Sequence, residues 1–130
     1  MKYVYVLLLT TVLLLSCKKD NQGKECNAYL TFVSSVTPNT TTINAGITTA
    51  IKGYGANSCY RFTQTEITIA SPTVFEIRLK GKISCGASVC ADVLIGVRDT
   101  VTISTPKAGT YYLKFINGPT TQKTDTVIVN

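Results

Sequence analysis

The chain has 130 residues, 13 Lys+Arg against 7 Asp+Glu, a formal net charge of +6, no His and no Trp. That length suits a single domain. Without His the commonest general base and metal ligand is missing, so catalysis and a metal centre are not expected; the charges are scattered, with no basic run longer than two residues, and nucleic-acid binding is not expected either.

The chain opens with Lys2 and an apolar run from Val4 to Leu15, interrupted only by Tyr5, Thr10 and Thr11. A positive start and an apolar stretch of about 12 residues have the anatomy of a secretory signal. The run falls short of the about 20 residues a membrane-spanning helix needs. It ends in Leu14-Leu15-Ser16-Cys17-Lys18-Lys19-Asp20. This border resembles the lipobox of bacterial lipoproteins: Leu14 at −3, small Ser16 at −1 and Cys17 at +1. The resemblance implies cleavage after Ser16 and thioether lipidation of Cys17, which then becomes the acylated N-terminus. It further implies an address in the bacterial envelope, in the outer membrane on its periplasmic or surface face. Residues 17–25 read as the lipidated Cys and a polar tether, and 26–130 as the folded domain. A lysine-plus-acid tract after the lipid Cys is similar to a surface-display signal in some Gram-negative lineages; only Lys19-Asp20 matches, and Asn21 departs from it.

Beyond Cys17, Val and Ile total 20 and Leu only 4. Residues branched at Cβ suit a pleated surface, and no window shows sustained helical periodicity, so the mature chain is predicted to be all-β. Strands are predicted at Ala28 to Val36, Thr41 to Asn44 and Ile47 to Gly53. Another is expected from Cys59 to Ile69, where the apolar phase changes between Tyr60/Phe62 and Ile67/Ile69. A period of two cannot flip without an extra residue, so a bulge or break is predicted near Thr65. Val74 to Ile83 alternates cleanly, with Phe75, Ile77, Leu79 and Ile83 inward and Glu76, Arg78, Lys80 and Lys82 outward. Ala91 to Val97 is apolar on both phases and reads as a central strand. Thr100 to Ser104, Thr110 to Asn117 and Thr124 to Val129 follow, the last two joined through Asn117-Gly118-Pro119 as a hairpin.

About eight short strands indicate an antiparallel β-sandwich of 7–9 strands, or alternatively a small β-barrel. The stretch Gly109-Thr110-Tyr111 tips the choice. It resembles the Gly-x-Tyr entry to the penultimate strand of immunoglobulin-like and fibronectin-like domains, and the resemblance implies that the Tyr111 hydroxyl bonds back to the backbone. Leu113 stands where antibody domains carry a Cys.

Four cysteines remain in the domain: Cys26, Cys59, Cys85 and Cys90. An even number in a small exported domain implies disulfides rather than a Cys₄ metal site, whose paired knuckle spacing is missing. Of the three pairings, Cys85–Cys90 and Cys26–Cys59 are expected, the first closing on a short flexible Gly86-Ala87-Ser88-Val89 loop.

The remaining candidates are contact residues. Arg78, Lys80 and Lys82 form an outward basic row that suits an anionic glycan or lipid headgroup, or simply a solvated face. Tyr54 and Tyr60 flank the loop Gly53 to Ser58, which with the loop Gly118 to Lys123 would present contacts. Glu66, Glu76, Asp92, Asp99 and Asp125 include no close sequence pair for glycoside hydrolysis. Asp99-Thr100-Val101 and Asp125-Thr126-Val127 are similar to an Asp-Thr-apolar O-glycan acceptor, which would mark Thr100 and Thr126. Asn39-Thr40-Thr41 fits an N-glycan sequon but is discounted in a bacterial cell. The expected protein is a non-catalytic lipid-anchored recognition or scaffolding module without cofactor, its partner an envelope protein or glycan. The alternative is an inhibitor-like or chaperone-like lipoprotein that binds a protein through a sheet edge.

Overall fold

The computed structural model describes residues 23–86 and 89–130. Residues 1–22, on which the expected signal, the expected lipidation site Cys17 and most of the expected tether fall, lie outside the described residues. Eight strands follow in order: β1 (Glu25–Val36), β2 (Thr40–Thr41), β3 (Ile47–Gly55), β4 (Tyr60–Ser71), β5 (Val74–Ser84), β6 (Ile95–Ile103), β7 (Gly109–Asn117) and β8 (Thr120–Val129). The fold is all-β, as the branched composition demands.

The strands form one curled sheet in the order β2-β8-β7-β5-β1-β3-β6, with β4 added beside β5. β1 bends it into two layers. Its first half, Glu25 to Leu30, ladders with β5; its second half, Thr31 to Val36, ladders with β3. A register shift between Phe32 and Ser34 marks the bend, since a bulged residue raises the local twist. The side chain of Asn117 covers β1 there: the Phe32 amide donates to its Oδ1 at 2.7 Å, and its Nδ2 donates to the Phe32 carbonyl at 3.3 Å. One side-chain amide thus satisfies both polar groups of Phe32, as a neighbouring strand would.

The antiparallel expectation holds in five ladders and is corrected in two. β5 runs parallel to β7, and β2 parallel to β8. The reason is topological. From β5 the chain crosses to the other layer as β6 and returns as β7, so β6 serves as the crossover that a parallel pair requires.

Two further strand expectations are corrected. Ala91 to Val97 is not a central strand. Val93 and Leu94 precede β6 and are exposed, and β6 ends the strand path, paired among the described residues with β3 alone. Thr100 to Ser104 is not separate either; it continues β6. An apolar run bounded by Cys90 does not reveal whether it is covered or merely stapled.

The core holds Leu30, Phe32, Ile47, Ile51, Phe75, Ile77, Leu79, Val97, Ile103, Tyr111, Leu113, Phe115, Val127 and Val129. Phe32 stacks on Phe115 with ring centroids 4.6 Å apart, within the range in which aromatic pairs attract. The inward phase of Val74 to Ile83 holds: Phe75, Ile77 and Leu79 are buried. The corner tyrosine is also present. Tyr111 is buried, and its hydroxyl donates to the Lys107 carbonyl at 3.0 Å. Gly109 precedes it at φ 146°, a conformation that side chains disfavour.

Candidate functional site

Strand β4 carries the site, and its bulge builds it. The register shifts between Phe62 and Gln64, two residues before the predicted position, and Thr63 is the extra residue; its hydroxyl donates to the Lys80 carbonyl at 3.0 Å. Before the bulge, Tyr60 and Phe62 lie opposite Ile83 and Gly81; after it, Ile67 and Ile69 lie opposite Ile77 and Phe75. Directly opposed residues share a face. The phase change therefore keeps all four apolar side chains of β4 on the inner face. Tyr60 and Phe62 pack against the core. Ile67 and Ile69 do not: they remain 36% and 69% exposed.

The inner face is uncovered there because the two layers part. The hydroxyl of Thr65 on β4 donates to Asp99 Oδ2 on β6 and ties the two strands together. Beyond that tie a groove of about 590 Å³ opens, lined by Ile67, Ile69, Pro72, Phe75, Ile103 and Pro106, with Thr102 and Ser104 at its polar margin. Its walls belong to strands that, among the described residues, each ladder on one side only: β4 with β5 and β6 with β3. The groove therefore combines an apolar floor with two free backbone edges.

The opposite seam of the sandwich is closed by polar groups. Asp125 of β8 accepts from Ser35 Oγ and Thr37 Oγ1 at 2.6 Å each, and Lys123 Nζ lies 2.8 Å from its other oxygen. Thr37 shares a 2.6 Å hydrogen bond with buried Thr49. The single Thr37 proton goes to Asp125, so Thr49 is the donor in that pair. Burial, the largest single influence, pushes the Asp125 carboxyl up; the Lys123, Ser35 and Thr37 hydrogen bonds and the lysine charge together outweigh it and hold the carboxyl below its ordinary value. A carboxyl lowered on folding contributes stability above its unfolded pKa and loses it as pH falls through the folded value. Asp125→Asn keeps an oxygen for the two hydroxyls and loses the partly exposed Lys123 pair, so it should cost about 1 kcal/mol at neutral pH. Urea titrations at pH 7 and below pH 4 should show the parent losing part of that advantage in acid, with Asp125→Asn the less acid-sensitive chain.

The two Asp-Thr-Val stretches now have a structural reading. Both lie inside strands. Asp99 and Asp125 sit on the inward phase, opposite Ile51 and Leu113, and accept hydroxyl protons across a seam. Thr100 and Thr126 are exposed. The inward acids were missed from sequence although a signal exists: each stands two residues before an inward Val, in Asp99-Val101-Ile103 and Asp125-Val127-Val129.

The basic row is internally balanced. Arg78 lies 3.2 Å from Glu76, Lys80 3.1 Å from Glu66 and Lys82 2.8 Å from Glu25, which also meets Arg61 at 3.3 Å. The Lys82 hydrogen bond, followed by the Arg61 charge, holds the Glu25 carboxyl below its ordinary value, and the Lys80 hydrogen bond does the same for Glu66. Tyr54 and Tyr60 are not a matched pair: Tyr60 packs inward, while Tyr54 lies half-buried opposite Thr31 and Gly96. Of the two expected contact loops, the second is fastened at its base by Asn117 to Phe32 of β1, and Gly53, where the first begins, lies opposite that same residue.

The expected disulfide pairing is corrected. The bridges are Cys26–Cys85 and Cys59–Cys90, with Cα atoms 5.8 and 5.5 Å apart, ordinary disulfide spacing. β1 and β5 bring Cys26 beside Cys85: Cys26 lies opposite Ile83, and the Cys85 amide donates to the Lys24 carbonyl at 2.8 Å. Ser58 and Ala91 exchange hydrogen bonds and align the second pair. Among the described residues no group of three or more His, Cys, Asp or Glu is placed to hold a metal ion.

Residues 49–129 match the family model of the ORF11 beta-sandwich domain. The chain belongs to that family. The match spans β3 to β8 and so includes both walls of the groove, while β1, which joins the layers, precedes it. No curated protein and no solved structure matches the chain.

Proposed function

We propose that this ORF11 beta-sandwich protein is a lipid-anchored, non-catalytic recognition module of the bacterial envelope that binds an extended, apolar segment of a protein partner in the β4–β6 groove. The observation that carries the reading is the exposure of Ile67 and Ile69 on a face that is buried elsewhere in the sandwich. An inserted strand with alternating apolar residues would cover them and hydrogen-bond to a free edge, the mode known as β-strand addition. This favours the sheet-edge alternative over loop-borne glycan recognition, since the basic row already has carboxylate partners. The lipobox resemblance at Cys17 supports the anchor, and two disulfides suit an oxidising compartment.

Two measurements test it in cells that make the chain. Cys17→Ser should abolish fatty-acid labelling and release the protein from membranes; unchanged labelling and fractionation would refute the anchor. A photocrosslinking residue at position 69 should give discrete protein adducts that Ile67→Asp weakens about tenfold, equivalent to about 1.4 kcal/mol of lost apolar contact. The same residue at position 126 should give none. Adducts from position 126 and none from 69 would refute the groove.

A further inference from the structure

The geometry points to a second membrane contact: residues 89–94, which lead into β6, rest on the lipid surface, with Val89, Val93 and Leu94 entering the headgroup region. This rests on the anchor proposed for Cys17 and adds an orientation to it. The three side chains are 83%, 52% and 62% exposed, and they flank or follow the fastened residues Cys90 and Ala91 just before β6. Cys85 is bonded to Cys26, and Cys90 to Cys59; Ala91 exchanges hydrogen bonds with Ser58. Val93 and Leu94 are therefore carried between a fastened pair of residues and the start of a strand.

The start of the described chain lies at the same pole. Besides the Lys24–Cys85 hydrogen bond, a Cβ on Gly86 would come within 3.9 Å of the Gly23 Cα. Only residues 17–22 separate Gly23 from the chain end that would be acylated. Fully extended, they reach about 20 Å. Strand β4 alone, with 12 residues, is about 40 Å long. The tether is thus shorter than the sandwich, and the pole bearing Gly23 is the one held closest to the bilayer. Lys24 beside Gly23 suits anionic headgroups there. Asp92 shares the loop, so the contact is shallow and stays at headgroup depth.

The groove gains an address from this orientation. β4 runs from Tyr60 at the anchored pole to Ile69 near the other, about 30 Å away. The groove therefore opens away from the bilayer, toward partners that approach from the aqueous side.

The absence of Trp makes the test direct. Leu94→Trp and Ile69→Trp chains, each acylated at full length, are reconstituted into vesicles of phosphatidylethanolamine and phosphatidylglycerol with a nitroxide quencher on a fraction of the headgroups. Leu94→Trp emission should shift to the blue and be quenched roughly twofold more than that of Ile69→Trp. Val93→Trp should behave like Leu94→Trp. Equal quenching at positions 69 and 94 in protein that floats with the vesicles would overturn the loop contact and leave the anchor standing. Protein that does not float would overturn both.

Discussion

Replacing Gly53 by Ala is expected to destabilise the sandwich by about 3 kcal/mol, at the upper end of overpacking costs. Gly53 lies on the inner face of β3, opposite Phe32 on β1 and Val97 on β6. A Cβ there would overlap Leu79 Cδ1 and the Thr31 carbonyl oxygen. The Leu79 methyl can rotate away, but the Thr31 carbonyl belongs to the point where β1 changes layers and has no such freedom. Urea unfolding should therefore show a large drop in midpoint for Gly53→Ala. Leu79→Ala alone costs about 2–5 kcal/mol through its cavity. The double variant should be less damaged than the sum, because it relieves one clash and leaves the other. A Gly53→Ala chain within about 0.5 kcal/mol of the parent would show that the layer crossing yields easily.

The same residue shows where sequence reading ends. A glycine in a strand signals a close approach but does not say of what. The sequence does carry what depends on neighbours two residues apart: the inward phase of β5, the corner tyrosine after Gly109, and the need for an extra residue in β4. It misses what depends on partners far along the chain. Nothing in Thr31 to Val36 states that β1 leaves β5 for β3, and nothing in Asn117 that it hydrogen-bonds to Phe32. Ile67 and Ile69 were legible as inward residues only once the bulge was allowed, and nothing local tells that β6 stops short of covering them. Ala91 to Leu94 fails in the opposite sense: an apolar stretch normally reports burial, but here two bridges and a Ser58 contact hold it at the surface.

The disulfides are where the pairing choice has the largest thermodynamic consequence. The expected Cys85–Cys90 bridge would close a short loop and constrain the unfolded chain little. The observed bridges span 59 and 31 residues and interleave, and loop entropy assigns each about 4 kcal/mol. Converting either pair to serines should lower stability by that order, and converting both should leave little of the fold at 37 °C, as measured by thermal unfolding without reductant. The connectivity itself can be read by trypsin. Cleavage after Lys24, Lys52, Arg61, Lys82 and Arg98 puts Cys26 in peptide 25–52, Cys59 in 53–61, and both Cys85 and Cys90 in 83–98. The observed pairing links all three peptides into one non-reduced species. The pairing expected from sequence would free peptide 83–98 with an internal bridge and leave 25–52 joined to 53–61. The third pairing, Cys26–Cys90 with Cys59–Cys85, also gives the three-peptide species, and a second cut between residues 85 and 90 separates the two. With the observed bridges that cut must leave 25–52 on the Cys85 fragment and 53–61 on the Cys90 fragment. The reverse partition would mean that β1 and β5 do not meet as described, because Cys26 could not then reach Cys90 while lying opposite Ile83.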